Sequence, residues 1–278
     1  MPLIETAAGQ ADILTFGPDR PAAAPTLILL HACGTGAASL TRLGTAIAEQ
    51  QDCRVIALNA PGYGASRLRD GHPNGADPIA ASEHLTAGLI DALALSAVTL
   101  LGHSMGGFTA LMLARRRPDL IARLIVIEPM AFSLLDRPED AAARAQDRTV
   151  AEGLLAALAE DRAEEGLARF MAFWNQRPWE ALPERGRQGL VAMAGQIGRE
   201  VRRVSFDETP PAIYRDLTLP VLLLAGSKSP LPARRIVARL AELLPQAGMA
   251  HIADAGHMSA LTHPDAVTAA VAPALSPT

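Results

Sequence analysis

The 278-residue chain has the sequence of an α/β protein, a mostly parallel, doubly wound sheet with a helical block inserted late. Three observations predict it. Short apolar runs at residues 26–30, 55–58, 98–101, 124–127 and 221–225 have the composition of strands buried on both faces. Stretches long enough for helices separate them, and that alternation builds a parallel sheet whose strand ends share one edge. Between residue 131 and about residue 211 the rhythm stops and the chain is helical and charged.

The first 25 residues hold two alternating pieces, 3–6 and 11–16, separated by Gly9 and closed by Gly17-Pro18, which predict a hairpin. Pro21 and Pro25 frame a linker to the run at 26–30. The glycine-bearing turn His31-Ala-Cys-Gly-Thr-Gly36 follows and opens a helix near 38–50. It lacks the spacing and the lysine of a nucleotide-binding phosphate loop. After the strand at 55–58, the Gly/Pro-bearing stretch to residue 66 is a turn-rich loop, residues 67–77 are expected as exposed loop, and a helix is predicted over 78–95. The strand at 98–101 leads into a helix ending near Arg117, before Pro118. The strand at 124–127 closes on Glu128-Pro129. Within the late block, Leu167, Phe170, Met171 and Trp174 recur at helical spacing, and six of the chain's ten aromatic residues fall there. The strand at 221–225, a helix near 232–244, a last strand over 249–254 and a closing helix after Pro264 complete the chain.

Hydrophobic residues make up 49% and charged residues 19%, the balance of a soluble globular protein. A net charge of −4 gives no general attraction for nucleic acid or an anionic membrane surface. Cys33 and Cys53 allow one disulfide at most, no zinc-like spacing exists, and no motif calls for a cofactor. No basic residue precedes Arg20 and no apolar run reaches membrane-spanning length, so the expectation is a cytoplasmic protein acting on a small molecule.

The chemistry concentrates at Gly102-His-Ser-Met-Gly106, between a buried strand and a helix. Glycines two residues to either side of Ser104 leave room for a sharp backbone reversal that exposes its hydroxyl, and the helix beyond presents unpaired N–H groups and a positive dipole end. A serine hydroxyl is a weak nucleophile at neutral pH and needs an adjacent base. Of seven histidines, His257 stands where a loop beyond the last strand reaches the strand-end edge. His103 is expected to point away from the serine, and His31 to pin the glycine-bearing turn. Asp254 is placed on a strand interior.

Leu-Leu-His31-Ala-Cys-Gly, Pro61-Gly-Tyr-Gly-Ala-Ser66, Gly102-His-Ser-Met-Gly-Gly107 and Ala255-Gly-His-Met258, in this order and spacing, resemble the α/β-hydrolase superfamily over nearly the whole chain. The resemblance implies a core of residues 1–130 and 214–278, and a helical cap of residues 131–213 between strands six and seven. It also implies Ser104 as nucleophile, His257 as base, and the backbone N–H groups of Cys33 and Met105 as oxyanion hole. Two departures stand out. Ala32 replaces the glycine common after the loop histidine, a change expected to alter how that loop turns. Ser229 occupies the place after strand seven where most members carry the acid as Gly-x-x-Asp. Some haloalkane dehalogenases carry theirs at the end of strand six, where this chain has Glu128, so Glu128 is the expected partner of His257.

The expected reaction is hydrolysis of a small to medium apolar carboxylic ester, lactone or thioester through an acyl-enzyme on a Ser-His-Glu triad, with Phe132 and Trp174 from the aromatic block lining the substrate pocket. Alternatives are carbon–carbon bond hydrolysis or cofactor-free perhydrolysis on the same triad, and a catalytically weak ligand-binding relative.

Overall fold

The computed structural model describes residues 2–22, 24–244 and 246–275; residues 1 and 276–278, where the expected core begins and ends, lie outside them. The N-terminal hairpin is β1 (Leu3–Glu5) and β2 (Gly9–Phe16), paired antiparallel. The first crossovers are β3 (Thr26–Leu30), α1 (Thr41–Gln51), β4 (Arg54–Leu58), β5 (Arg67–Leu68) and α2 (Pro78–Ala92). They are followed by β6 (Val98–His103), α3 (Met105–Arg116) and β7 (Ile121–Ile127). The sheet order is β1-β2-β4-β3-β6-β7-β8-β9, with β5 paired to β2. Here β8 is Val221–Gly226 and β9 is Ala247–Ile252. Every pairing from β4 through β3 to β9 is parallel.

Pairing of β5 with Gly9 and Gln10 corrects the expectation of loop throughout 67–77. Only the second half of β2 lies beside β4, so β5 supplies partners for backbone groups that would otherwise be left open. It also shifts the count by one: the sixth and seventh predicted strands are β7 and β8.

Strand period divides the core into two layers. Leu27 and Leu29 of β3 pack with Leu43 and Ile47 of α1 and with Val267 and Val271 of α10 (Pro264–Leu275) on one face. Ile28 and Leu30 face the other way, toward Leu85 and Leu89 of α2, Phe108 and Leu111 of α3, and Ile236 of α8 (Leu231–Leu243). Winding reverses at β3, which lies between β4 and β6. The C-terminal ends of β3 and β6 therefore flank the crevice where such sheets hold ligands.

The inserted block carries α4 (Ala141–Ala159), α5 (Ala163–Asn175), α6 (Glu184–Ala192) and α7 (Ala194–Ser205). Its apolar stripe Leu167, Phe170, Met171 and Trp174 is buried, as its spacing predicts. The last strand stops at Ile252, so Asp254 is not on a strand interior. It stands in a left-handed turn (φ 58°), exposed and paired with Lys228 Nζ at 2.8 Å. The short α9 (Ser259–Thr262) leads into α10. No helix among the described residues is long and apolar enough to cross a membrane.

Candidate active site

Ser104 sits between β6 and α3 with φ 58° and ψ −116°, a backbone state costing a non-glycine residue about 1–3 kcal/mol. Hydrogen bonds hold it there: Ser104 N–H donates to Ile127 O at 2.9 Å, and Ser104 O accepts from Phe108 and Met130 N–H. The flanking glycines are required by close approach. A Cβ on Gly102 would stand 2.2 Å from Gly106 O, and one on Gly106 would stand 2.4 Å from Leu30 O. The backbone reversal expected of the glycine-framed serine is thus built by steric contact as well as by hydrogen bonds.

Three side chains from distant parts of the chain meet at this rim. His257 Nε2 lies 3.0 Å from Ser104 Oγ, and its Nδ1 lies 2.7 Å from Glu128 Oε2. A carboxylate only accepts, so Nδ1 carries the proton and Nε2 is left to accept from the serine hydroxyl. All three residues are buried. Glu128 leaves β7 through a left-handed residue (φ 44°), which turns its carboxylate along the strand ends. Its other oxygen accepts from Gly226 N–H at 2.6 Å and from Ser229 Oγ at 2.5 Å. Burial opposes the charge, but the bonds from His257, Ser229 and Gly226 outweigh it and hold the carboxyl below the ordinary glutamate range.

Ser229, at the place where most relatives carry the acid, donates a hydrogen bond to the acid that stands elsewhere. Sequence reasoning missed that role, although the vacant Gly-x-x-Asp position was its signal. It also missed His103, which points away from the serine as expected but donates from Nε2 to His257 O at 2.8 Å. Burial, then the neighbouring His257, lowers the His103 ring to about 3, so it remains a neutral donor holding the histidine loop.

The loop after β3 lies against the elbow, since Gly106 N–H donates to His31 O at 3.2 Å. His31 donates from Nδ1 to Ala32 O at 2.8 Å and accepts from Ala60 N–H at Nε2. That is the pinning role expected of it, and burial keeps the ring neutral by lowering its pKa to about 4. Ala32 is accommodated because its φ is not positive; the turn is made at Gly34 (φ 73°). Among the described residues, neither Cys33 nor Met105 N–H is taken up by a turn, loop or cap bond. Both residues border the cavity walled by Phe132 and Trp174, and Met105 opens α3, whose first N–H groups have no partner within the helix.

Glu200 of α7 is the cap's contact with this loop. Its Oε2 accepts from Tyr63 OH at 2.7 Å, Tyr63 OH accepts from Gly34 N–H at 2.7 Å, and Gln196 Nε2 donates to Oε1 at 2.7 Å. Burial, then the charge of Glu200, raises the Cys33 thiol's pKa well above its usual range. Sequence reasoning passed over Glu200, yet it lies three residues after Ile197 and four before Val204, on the buried face of α7. A polar residue inside an apolar stripe was the available signal.

The Trp174 ring centre is 4.8 Å from that of His257 and 5.9 Å from that of Phe132. With Phe170 and Met130, Phe132 and Trp174 enclose a cavity of about 10 Å³, room for one water molecule. No group of three or more His, Cys, Asp or Glu residues suited to a metal ion occurs among the described residues, and the two cysteines are free thiols.

A family profile described as "alpha/beta hydrolase fold" matches residues 25–264. The pimeloyl-(acyl-carrier protein) methyl ester esterase of Aromatoleum aromaticum is 30% identical over 256 residues, 87% of this chain and 94% of that protein. The sn-1-specific diacylglycerol lipase ABHD11 of Mus musculus is 34% identical over 110 residues, 40% of this chain but only 34% of that protein's length. A hydrolase from Pseudomonas aeruginosa PA01 superposes with a TM-score of 0.75 over 99% of this chain and 98% of its own, at 24% identity. The chain belongs to the α/β-hydrolase family.

Proposed function

We propose that the protein hydrolyses carboxylic esters, lactones or thioesters of small molecules through an acyl-enzyme. The observation that carries this reading is the buried relay from Ser104 Oγ through His257 to Glu128, with spacings of 3.0 and 2.7 Å. Ser104 attacks the carbonyl as His257 Nε2 takes its proton, and the imidazolium formed is balanced by the charged Glu128. The Cys33 and Met105 amides receive the oxyanion, each worth about 3–4 kcal/mol in the transition state. His257 then protonates the leaving alcohol or thiol, and water repeats the sequence to release the acid. The similarity to a methyl ester esterase over most of both chains supports the same reaction class.

In this reading residues 131–213 act as a lid over the core formed by residues 1–130 and 214–278. A cavity the size of one water cannot hold a substrate, so the lid or its aromatic side chains must shift to admit one. The free thiols are compatible with a reducing, cytoplasmic setting. Incubation with a fluorophosphonate tests the proposal. Stoichiometric label on Ser104, abolished in Ser104→Ala, together with acid and alcohol products from an ester panel, is the expected result. A folded protein that takes no label contradicts it. Turnover of a vinylogous diketone in place of every ester would assign carbon–carbon hydrolysis to the same residues.

A further inference from the structure

The cavity bordered by Cys33 and Met105 is walled by Met130, Phe132, Phe170 and Trp174, but its lining also includes Asp147 of α4 and Ser205 of α7. Asp147 is 3% exposed. Its Oδ1 accepts from Ser205 Oγ at 3.1 Å, and its Oδ2 takes no hydrogen bond among the described residues. Burial raises the Asp147 carboxyl to about 7, against only partial relief from Ser205, Arg148 and Arg144. Glu200 borders the same cavity, but both of its oxygens are occupied. No lysine or arginine lines the space.

One Asp147 oxygen is held by Ser205, and the other is not committed to a hydrogen-bond donor of the described residues. Placed in the wall of a cavity that Cys33, Met105 and Trp174 also border, it offers an acceptor to whatever fills that cavity. We propose that Asp147, held by Ser205, forms a polar subsite that selects esters carrying a hydrogen-bond donor, a hydroxyl or an ammonium group, on an otherwise apolar chain. The inference rests on the ester-hydrolase reading and adds to it the class of substrate. Above pH 7, where Asp147 is ionised, a carboxylate-ended chain is rejected, because it would bring a further negative charge to a buried acid with no cation in the lining. A methyl-ended chain fits the aromatic walls but leaves Asp147 Oδ2 unfilled. A site built around a polar partner discriminates against analogues lacking it more strongly than an apolar pocket discriminates by size.

The test uses p-nitrophenyl esters of four six-carbon chains: hexanoate, 6-hydroxyhexanoate, 6-aminohexanoate and the adipate half-ester. The parent should favour the hydroxyl- and ammonium-ended chains over hexanoate by about tenfold in kcat/KM, and disfavour the adipate chain relative to hexanoate. Asp147→Leu should remove the preference for donors. Asp147→Asn, which keeps the shape and one acceptor oxygen if the leucine variant misfolds, should lose the ammonium preference and keep most of that for hydroxyl. Binding of the corresponding N-methyl amides to Ser104→Ala, measured by calorimetry, reads the same order without catalysis. If the amides bind in that order while no ester is hydrolysed by the parent, the subsite stands and the ester reading falls. A parent indifferent to the chain end in both turnover and binding, or the same ranking in both Asp147 variants, overturns the subsite.

Discussion

The sheet rim and the cap each bury a carboxyl group, and the two are treated in opposite ways. Glu128 at the end of β7 collects donors from His257, Ser229 and Gly226 and stays charged despite burial. Asp147 in α4 has a single donor, Ser205, and its pKa climbs to about 7. Fully supplied with donors, a buried acid is a fixed charge suited to one constant task, here balancing an imidazolium. Supplied with one, it is left ready for a partner from outside the protein. The rim holds a fixed charge, and in the proposed subsite the cap reads the substrate.

The largest expected effect lies at the rim. Ser104→Ala should lower kcat by about 10⁶-fold with the fold intact by circular dichroism; retention of more than a small fraction of the turnover would remove the nucleophile from the account. Glu200→Ala probes how far the cap reaches into that chemistry, because Glu200 and Tyr63 tie α7 to the loop bearing the Cys33 amide. By comparison with removal of a whole oxyanion donor, misplacing one should cost about 10- to 100-fold in kcat. KM should change little, and Tyr63→Phe should fall in the same range without adding to it, since the two share one network. Additive losses would separate the two residues. Ser229→Ala should be milder, about three- to tenfold in kcat, because Glu128 keeps its bonds to Gly226 and His257.

The same contrast predicts opposite responses of stability to pH. Glu128 has a depressed pKa, so its contribution is present above the ordinary glutamate range and is lost as pH falls through its folded value. Asp147 is raised from 3.8 to about 7, so the native state holds a proton that the unfolded chain releases between those values, and stability is lost as pH rises across that window. Denaturant midpoints should therefore show Asp147→Asn gaining on the parent as pH rises from 4 to 7, by about 2–4 kcal/mol, while Glu128→Gln loses ground to the parent as pH rises toward 4.5 from below. Parallel curves for both variants would erase the distinction.

Much of this was legible in the sequence, for reasons that differ by region. Strands such as β3 and β7 announce themselves because parallel strands buried on both faces need unbroken apolar runs. The elbow was legible because steric contact leaves no alternative to glycine at positions 102 and 106. Glu128 could be found because Ser229 left the usual acid position empty. The roles of Ser229, Glu200 and Asp147 were not drawn out, since each depends on which side chains meet across the fold. Both cap acids nonetheless lie on buried helix faces: Asp147 falls in line with Ala143, Ala151 and Leu154, as Glu200 does with Ile197 and Val204. Helical periodicity marks such residues as misplaced, but only the tertiary structure shows what they face. The two-residue β5 and the early end of β9 were missed because short edge strands depend on a neighbour's unpaired backbone more than on their own composition.

The steady-state kinetics of Glu128→Gln on a reactive ester bear most directly on the relocated acid. Glutamine preserves the size of the side chain but removes the charge that stabilises protonated His257. The variant's kcat should be lower by about 10⁴-fold, with KM close to the parent's. A variant that turns over the ester at the parent's rate would show that His257 works without Glu128, and would contradict the assignment.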